Sequence, residues 1–364
     1  MVNSKDLSDF IQSELQSAKI PGCSLAVVNR NGIISTGAFG YANLQERRPP
    51  TPKTAYHLFS GTKLYTATAV MQLVDAGKLT LDDPLGKYIT GLGPAENITI
   101  KQLLSHTSGL KDTLKAFLAV HFENEAPITT TEALSRYKLR LKRDPGTQVE
   151  YCNANYALLG EIITRVSGQP YTDYVTEHIL QPLQMPVAFT LTDEMKADAA
   201  TGYMRRWEPM RLLLRLMMPG MAKKMYAGHI NGFVALRNYD LDTASIGGLV
   251  GSVRGFAPFV IAHLNGGKGI LKKETSQLMQ KMVGRGQAGI ASKVGVGLGW
   301  KIGQVGEETF INHEGGGAGF TSETRIYPIR GIGLVIAMNR MNMPQANMVA
   351  HRICEKIVGE IVTQ

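Results

Sequence analysis

The chain has 364 residues, 44% hydrophobic and 19% charged, which is enough to bury a large core and too apolar for a disordered segment. Its 39 lysines and arginines exceed 30 acidic residues for a formal net charge of +9, but no zinc-finger spacing or RNA-recognition aromatic motif accompanies the charge, so nucleic acid is not the expected partner. Three cysteines (Cys23, Cys152, Cys354) contain no C-x-x-C pair, which argues against both a disulfide framework and a zinc site.

Taken in order, residues 4–18 carry Leu7, Phe10, Ile11 and Leu15 at helical spacing and stop at Pro21-Gly22. This start lacks the charged, apolar and small-residue zones of a secretory signal. No run of 18 or more apolar residues follows anywhere, so a membrane-inserted protein is not expected and the cytoplasm is the simplest address. Cys23–Val28 and Ile33–Gly40 read as two strands, joined through Asn31-Gly32, a strong hairpin signal. From Ser60 the pattern becomes helical, with Leu64, Ala67, Val70, Met71 and Val74 recurring until Gly77. Ser60 is thereby expected among the free N–H groups at the positive end of a helix.

Helical patterns then dominate to about residue 200, as at Lys101–Ser105 and Asn155–Ser167, with loops at Pro84, Gly109, Pro145-Gly146 and Pro182. Basic residues gather at Lys138, Arg140, Lys142 and Arg143, and again from Arg205 to Lys224; the plain reading is a solvated face. The segment Arg205–Pro219 alternates apolar and basic residues. It is expected to be a packed insert, with a lid over the site or a membrane-surface helix as the other readings. Strands return at Gly295–Ile302, Glu308–Asn312, Gly319–Tyr327 and Gly331–Asn339, before a last helix over Pro344–Thr363. The whole predicts an α/β (α+β) architecture. Residues 1–80 and 246–364 would form an antiparallel sheet with flanking helices, and residues 81–245 a mainly helical domain with an insert at about 203–245.

Three motifs carry chemistry. Ser60-Gly61-Thr62-Lys63 offers a nucleophile and an amine one helical turn apart. Ser-x-x-Lys also occurs at Ser108–Lys111 and Ser135–Lys138, but only Ser60 opens an apolar helix. Tyr151-Cys152-Asn153 supplies a phenol and an amide on a loop after Pro145-Gly146, whereas the second Tyr-x-Asn, Tyr41-Ala42-Asn43, belongs to a strand end. His313-Glu314-Gly315-Gly316-Gly317-Ala318-Gly319 is expected between two strands, where four glycines let backbone N–H groups approach a ligand. His313 has no second histidine or cysteine at ligand spacing nearby, so no metal is expected. Cys152 is expected to be a neutral filler rather than a reactive thiol.

With Phe59-Ser60-Gly61-Thr62-Lys63, the stretch Ile100–Leu110, Tyr151–Gly160 and Gly297-Leu298-Gly299-Trp300, the chain resembles the serine β-lactamase and penicillin-binding protein superfamily. It is most similar to the class C enzymes and family VIII carboxylesterases. The resemblance implies a β-lactamase/transpeptidase-like fold and, residue by residue, a serine acylation mechanism. Ser60 would be the nucleophile, and Lys63 would ease removal of its proton. Tyr151 would relay protons, with its hydroxyl pKa depressed by Lys63. Asn153 would orient Lys63 and bond a substrate carbonyl. The backbone N–H groups of Ser60 and Gly316 would form an oxyanion hole, each contributing roughly 3–4 kcal/mol. His313, Glu314, Gly315 and Gly316 would line the substrate.

The superfamily's third motif is often Lys-Thr-Gly, which holds a substrate carboxylate; here His313 and Glu314 stand in its place. A mostly neutral histidine and a glutamate suit anions poorly, which points to small neutral carboxylic esters, with acyl transfer to alcohols as a second outcome and no cofactor. The alternatives are a D-amino-acid peptidase or amidase, a weak class C-like β-lactamase, and a non-catalytic homologue that binds acylated ligands. Class A β-lactamase chemistry lacks its Glu-x-x-Leu-Asn segment here, and the α/β-hydrolase esterases lack Gly-x-Ser-x-Gly.

Overall fold

The computed structural model describes residues 4–112, 120–123, 125–135, 139–286, 293–341 and 343–362. Lys138, with the last part of the third Ser-x-x-Lys, and Thr363 lie outside the described residues.

The chain begins with helix α1 (Lys5–Ser17), capped by the Ser4 hydroxyl, which accepts the Leu7 N–H. Strands β1 (Gly22–Asn29) and β2 (Gly32–Gly40) follow as an antiparallel hairpin. The turn is held by the Asn29 side-chain oxygen, which accepts the N–H groups of Asn31 at 2.8 Å and Gly32 at 3.1 Å. A 3₁₀ turn over Phe59–Thr62 leads into α2 (Lys63–Asp75), so Ser60 stands just before the regular helix rather than as its cap. Helix α3 spans Asn153–Ser167; α4 (Pro209–Met217) and α5 (Pro219–Met225) belong to the insert; α6 (Val253–Leu264) precedes the returning strands.

Those strands are β3 (Gly284–Arg285), β4 (Lys293–Val296), β5 (Lys301–Val305), β6 (Glu308–Gly317), β7 (Phe320–Tyr327) and β8 (Ile332–Met338), and α7 (Met343–Val362) follows. With the first hairpin they make one eight-stranded sheet ordered β3-β4-β5-β6-β7-β8-β1-β2, each neighbouring pair antiparallel. Both ends of the chain thus meet one strand in from an edge of the sheet, where Cys23 pairs with Met338 and Val28 with Gly333.

Period-two alternation decides which core each side chain joins. Cys23, Leu25 and Val27 of β1, with Leu334, Ile336 and Met338 of β8, pack under α1 and α7 against Leu7, Ile11, Ile353 and Ile357. Ala26, Val28, Val335 and Ala337 face the other way, into a larger core shared with α6, α2 and α3. Burial on both faces explains why β1 and β8 read as unbroken apolar runs.

Two strand expectations change. The predicted strand Gly295–Ile302 is broken between Val296 and Lys301, because Gly299 adopts φ 89° and donates its N–H to the Leu104 carbonyl at 3.2 Å. A Cβ there would lie 2.6 Å from that of Ala67 on α2, so only glycine permits the approach. The glycine-rich stretch from His313 to Gly317 is not a connection but the second half of β6; the turn is reduced to Ala318-Gly319. Among the described residues no helix is long and apolar enough to cross a membrane.

Candidate active site

Residues from three separate stretches of chain converge on Ser60. Lys63 sits one turn along, fully buried, and its Nζ lies 3.1 Å from Ser60 Oγ and donates to the Ile246 carbonyl at 2.9 Å. The Tyr151 hydroxyl, 91 residues further along, donates to Ser60 Oγ at 2.8 Å. Hydroxyl, amine and phenol therefore share one hydrogen-bonded cluster.

The turn that presents Ser60 is under backbone strain. Phe59 adopts φ 48°, a left-handed conformation that a bulky residue avoids. The surroundings hold it there. The Leu58 N–H donates to the Leu249 carbonyl at 2.8 Å, and the Leu58 carbonyl accepts from the Ser322 hydroxyl at 2.7 Å. Strand β6 presses on the same turn. A Cβ on Gly315 would stand 2.0 Å from the Leu58 oxygen, and one on Gly317 would stand 2.0 Å from the Phe59 ring. These glycines serve close packing of strand against nucleophile turn, and Gly316 lies between them on the same strand.

Tyr151 is positioned by the segment Ser105–Gly109. The His106 carbonyl accepts from Glu150 N at 2.8 Å, and His106 Nδ1 accepts from Cys152 N at 3.2 Å, which fixes the neutral tautomer protonated on Nε2. Its ring lies 4.6 Å from that of Tyr151. Burial, then the nearby Lys63 and Lys301, hold the imidazole well below its usual pKa. Ser108, part of the second Ser-x-x-Lys, is a structural residue whose hydroxyl donates to Asn155 Oδ1 at 2.6 Å. In the second Tyr-x-Asn, the carbonyls of Tyr41 and Ala42 accept from Asn339 at 2.9 and 3.1 Å, well away from Ser60 in role.

Asn153 differs from expectation. Its Nδ2 donates to Asp112 Oδ2 at 3.1 Å, and its Oδ1 accepts from the Tyr151 hydroxyl at 3.3 Å; the Lys63 ammonium is steered by Ile246 O instead. Asp112 also accepts the Asn153 N–H at 3.2 Å. This carboxylate escaped sequence reasoning because it follows no motif; its approach to Asn153 spans 41 positions.

The expected depression of the Tyr151 pKa does not occur. Burial raises the phenol well above its ordinary value, against a smaller lowering by the Ser60 hydrogen bond. Lys63 is itself pushed well below the usual lysine range by burial, with Asp112 pulling the other way, which weakens the support its charge could give a phenolate. Cys152 is buried, and desolvation raises its thiol to about 12, so it is unreactive packing.

Lys301 of β5 is a second residue missed in the sequence. It is buried near the same ring as Lys63, with each Nζ 5.2 Å from the Tyr151 ring centroid. Its ammonium donates to Glu314 Oε2 at 2.8 Å, and burial lowers its pKa to about 8. Glu314 is therefore an ion-paired, buried carboxylate rather than an exposed one that repels ligands. His313 is also buried, its Nδ1 donating to the Glu314 carbonyl at 2.8 Å. A strand residue such as Lys301 gives no local sign of which neighbour it will meet.

A serine with an adjacent buried lysine at the start of a helix, packed on an antiparallel sheet, is the arrangement of the β-lactamase fold. The chain belongs to the beta-lactamase family, whose model matches residues 7–354. It is similar to Protein flp of Staphylococcus aureus (strain MW2), 35% identical over 205 residues, covering 55% of this chain and 41% of that protein. The putative penicillin-binding protein PbpX of Bacillus subtilis (strain 168) is 34% identical over 205 residues, covering 56% of this chain and 50% of that protein. The chain thus spans about half or less of the curated relatives it matches. Among solved structures it resembles the octameric penicillin-binding protein homologue from Pyrococcus abyssi, with TM-score 0.78, 28% identity, and coverage of 97% of this chain and 77% of that one. The D-amino acid amidase from Ochrobactrum anthropi SV3 shares the fold, at TM-score 0.81 and 23% identity, covering 98% of this chain and 100% of that chain.

Proposed function

We propose that this serine hydrolase cleaves small neutral carboxylic esters through an acyl-enzyme. Lys63 is the base: with one hydrogen fixed on Ile246 O, its neutral amine turns a lone pair to the Ser60 hydroxyl and takes the proton as Oγ attacks the ester carbonyl. The N–H groups of Ser60 and Gly316 receive the developing oxyanion. Tyr151, held as a neutral phenol by burial, protonates the departing alkoxide and recovers its proton from Lys63 through Ser60's position. Water then attacks the acyl-enzyme along the reverse proton path, releasing the acid and restoring Ser60. Asn153 keeps Tyr151 aimed and offers its amide to the substrate carbonyl, and His313, Glu314 and Gly315 form the wall beside it.

The observation that carries the ester reading is the Lys301–Glu314 pair. The only ammonium that β5 and β6 bring to this wall among the described residues is already bonded to a carboxylate, so the wall presents no net positive charge to a substrate anion. Penicillins and peptidoglycan stems both carry such an anion. Assays of p-nitrophenyl butyrate, nitrocefin and D-alanine amide in parallel test this. The ester should turn over fastest; rapid nitrocefin or amide turnover with negligible ester cleavage would replace the reading, and inactivity on all three would favour a ligand-binding homologue.

A further inference from the structure

Helix α4 is turned the wrong way for an ordinary surface helix. Leu212 and Leu216 stand four residues apart and Leu213 and Leu216 three apart, so all three share one face. Such an apolar stripe normally lies on the core. Here Leu214, on another face, is the leucine that is buried, while Leu212, Leu213 and Leu216 are 42%, 38% and 83% exposed. Trp207, just before the helix, is 76% exposed. The three leucines make an exposed apolar stripe, with Trp207 a further exposed apolar side chain just ahead of the helix, of a kind that soluble surfaces rarely present without a partner.

The stripe is flanked by positive charge. Arg211 and Arg215 run along the adjoining helix face, the Arg206 guanidinium lies 5.4 Å from the Trp207 ring, and Lys223 is exposed on α5. Among the described residues no carboxylate pairs with these four. Glu208 is turned to Arg340 at 2.5 Å, and Glu125 meets Lys224 instead. The Arg211 pKa is lowered by its partial burial and by the repulsion of Arg215 and Arg206. An exposed leucine stripe with a tryptophan just ahead of it, bordered by arginines and a lysine, matches the two layers of an anionic bilayer surface: acyl boundary for the apolar side chains, phosphate headgroups for the cations.

We propose that α4 and Trp207 form a peripheral docking surface for anionic lipid bilayers. The helix has nine residues, so it lies in the interface rather than spanning it. The insert is fixed to the turn after β6, since the Tyr239 hydroxyl donates to the Ala318 carbonyl at 2.5 Å and Gly202 packs on Gly319. Docking therefore orients the strand that carries Gly316 relative to the membrane and does not require the ester reading to hold.

The test uses the whole chain and vesicles of phosphatidylcholine with or without phosphatidylglycerol. The chain holds two tryptophans, and Trp300 is 1% exposed, so a change in emission reads Trp207. Anionic vesicles should shift the emission to the blue and sediment the protein, and both effects should fade as sodium chloride is raised. Leu213→Asp with Leu216→Asp should weaken partition by about tenfold or more, with circular dichroism and turnover of a soluble ester unchanged. Arg206→Glu with Arg215→Glu should act the same way at low salt. No shift with anionic vesicles at low salt would overturn the proposal, as would equal binding to pure phosphatidylcholine. So would a native oligomer that the leucine pair dissociates in light scattering, which would assign the stripe to a second copy of the chain.

Discussion

Lys63 and Lys301 approach the same tyrosine ring from two regions of the molecule, each Nζ 5.2 Å from its centroid, and both are buried. On the α2 side the Lys63 Nζ meets a hydroxyl and a backbone carbonyl. On the β5–β6 side the Lys301 Nζ is bonded to Glu314. Desolvation lowers both, Lys63 well below the ordinary lysine range and Lys301 to about 8, and a nearby carboxylate opposes the drop in each case, Asp112 for Lys63 and Glu323 for Lys301. The two buried lysines thus differ in their direct partners, a hydroxyl and a backbone carbonyl for one and the Glu314 carboxylate for the other.

The largest expected effect isolates the α2 side. Ser60→Ala should remove turnover by a factor on the order of 10⁴ or more, measured as kcat/KM on the preferred ester, with the thermal midpoint nearly unchanged. Retained activity would move the nucleophile elsewhere. Tyr151→Phe keeps the ring between the lysines and removes only the proton donor, so it should cost roughly 10²–10⁴ in kcat. A loss confined to KM would mean the hydroxyl merely binds substrate.

The β5–β6 side should fail differently. Lys301→Met strands the Glu314 carboxylate in the interior and should destabilise the fold by about 3–5 kcal/mol in denaturant titration, whereas Lys301→Met combined with Glu314→Gln should recover most of that. Additive losses in the double variant would show that the pair is not the reason for the cost. The finest prediction concerns pH. With Lys63 as the proposed base, kcat/KM should rise with pH along an acidic limb set by that residue. Asp112 raises the Lys63 pKa and Lys301 lowers it. Asp112→Asn should therefore move the limb to lower pH, and Lys301→Met should move it to higher pH. Shifts of the same sign in both would contradict the electrostatic picture.

Much of the fold was legible because its signals are local. The α1 period, the Asn31-Gly32 turn and the apolar runs of β1 and β8 each express burial that a window of a few residues records. The α2 pattern placed Ser60 and Lys63 together at a helix start, which proved to be a 3₁₀ turn. The stretch from His313 to Gly317 misled for a physical reason. Glycines that mark a turn in isolation here allow a strand to touch Leu58 and Phe59, and no window around residue 315 contains that neighbour. The Arg205–Pro219 segment misled as well, since leucines at helical spacing do not say which way the stripe will face.

Periodicity and motif order, which are properties of neighbouring residues, were enough to set the strands, the long helices, the family resemblance and the three groups that the fold brings together around Ser60. Folding alone decided the protonation balance. The contacts that tune the cluster join positions 91 residues apart for Ser60 and Tyr151 and 183 apart for Lys63 and Ile246. Whether a lysine is a neutral base or half of an ion pair depends on the dielectric and the charges that such distant segments bring to it.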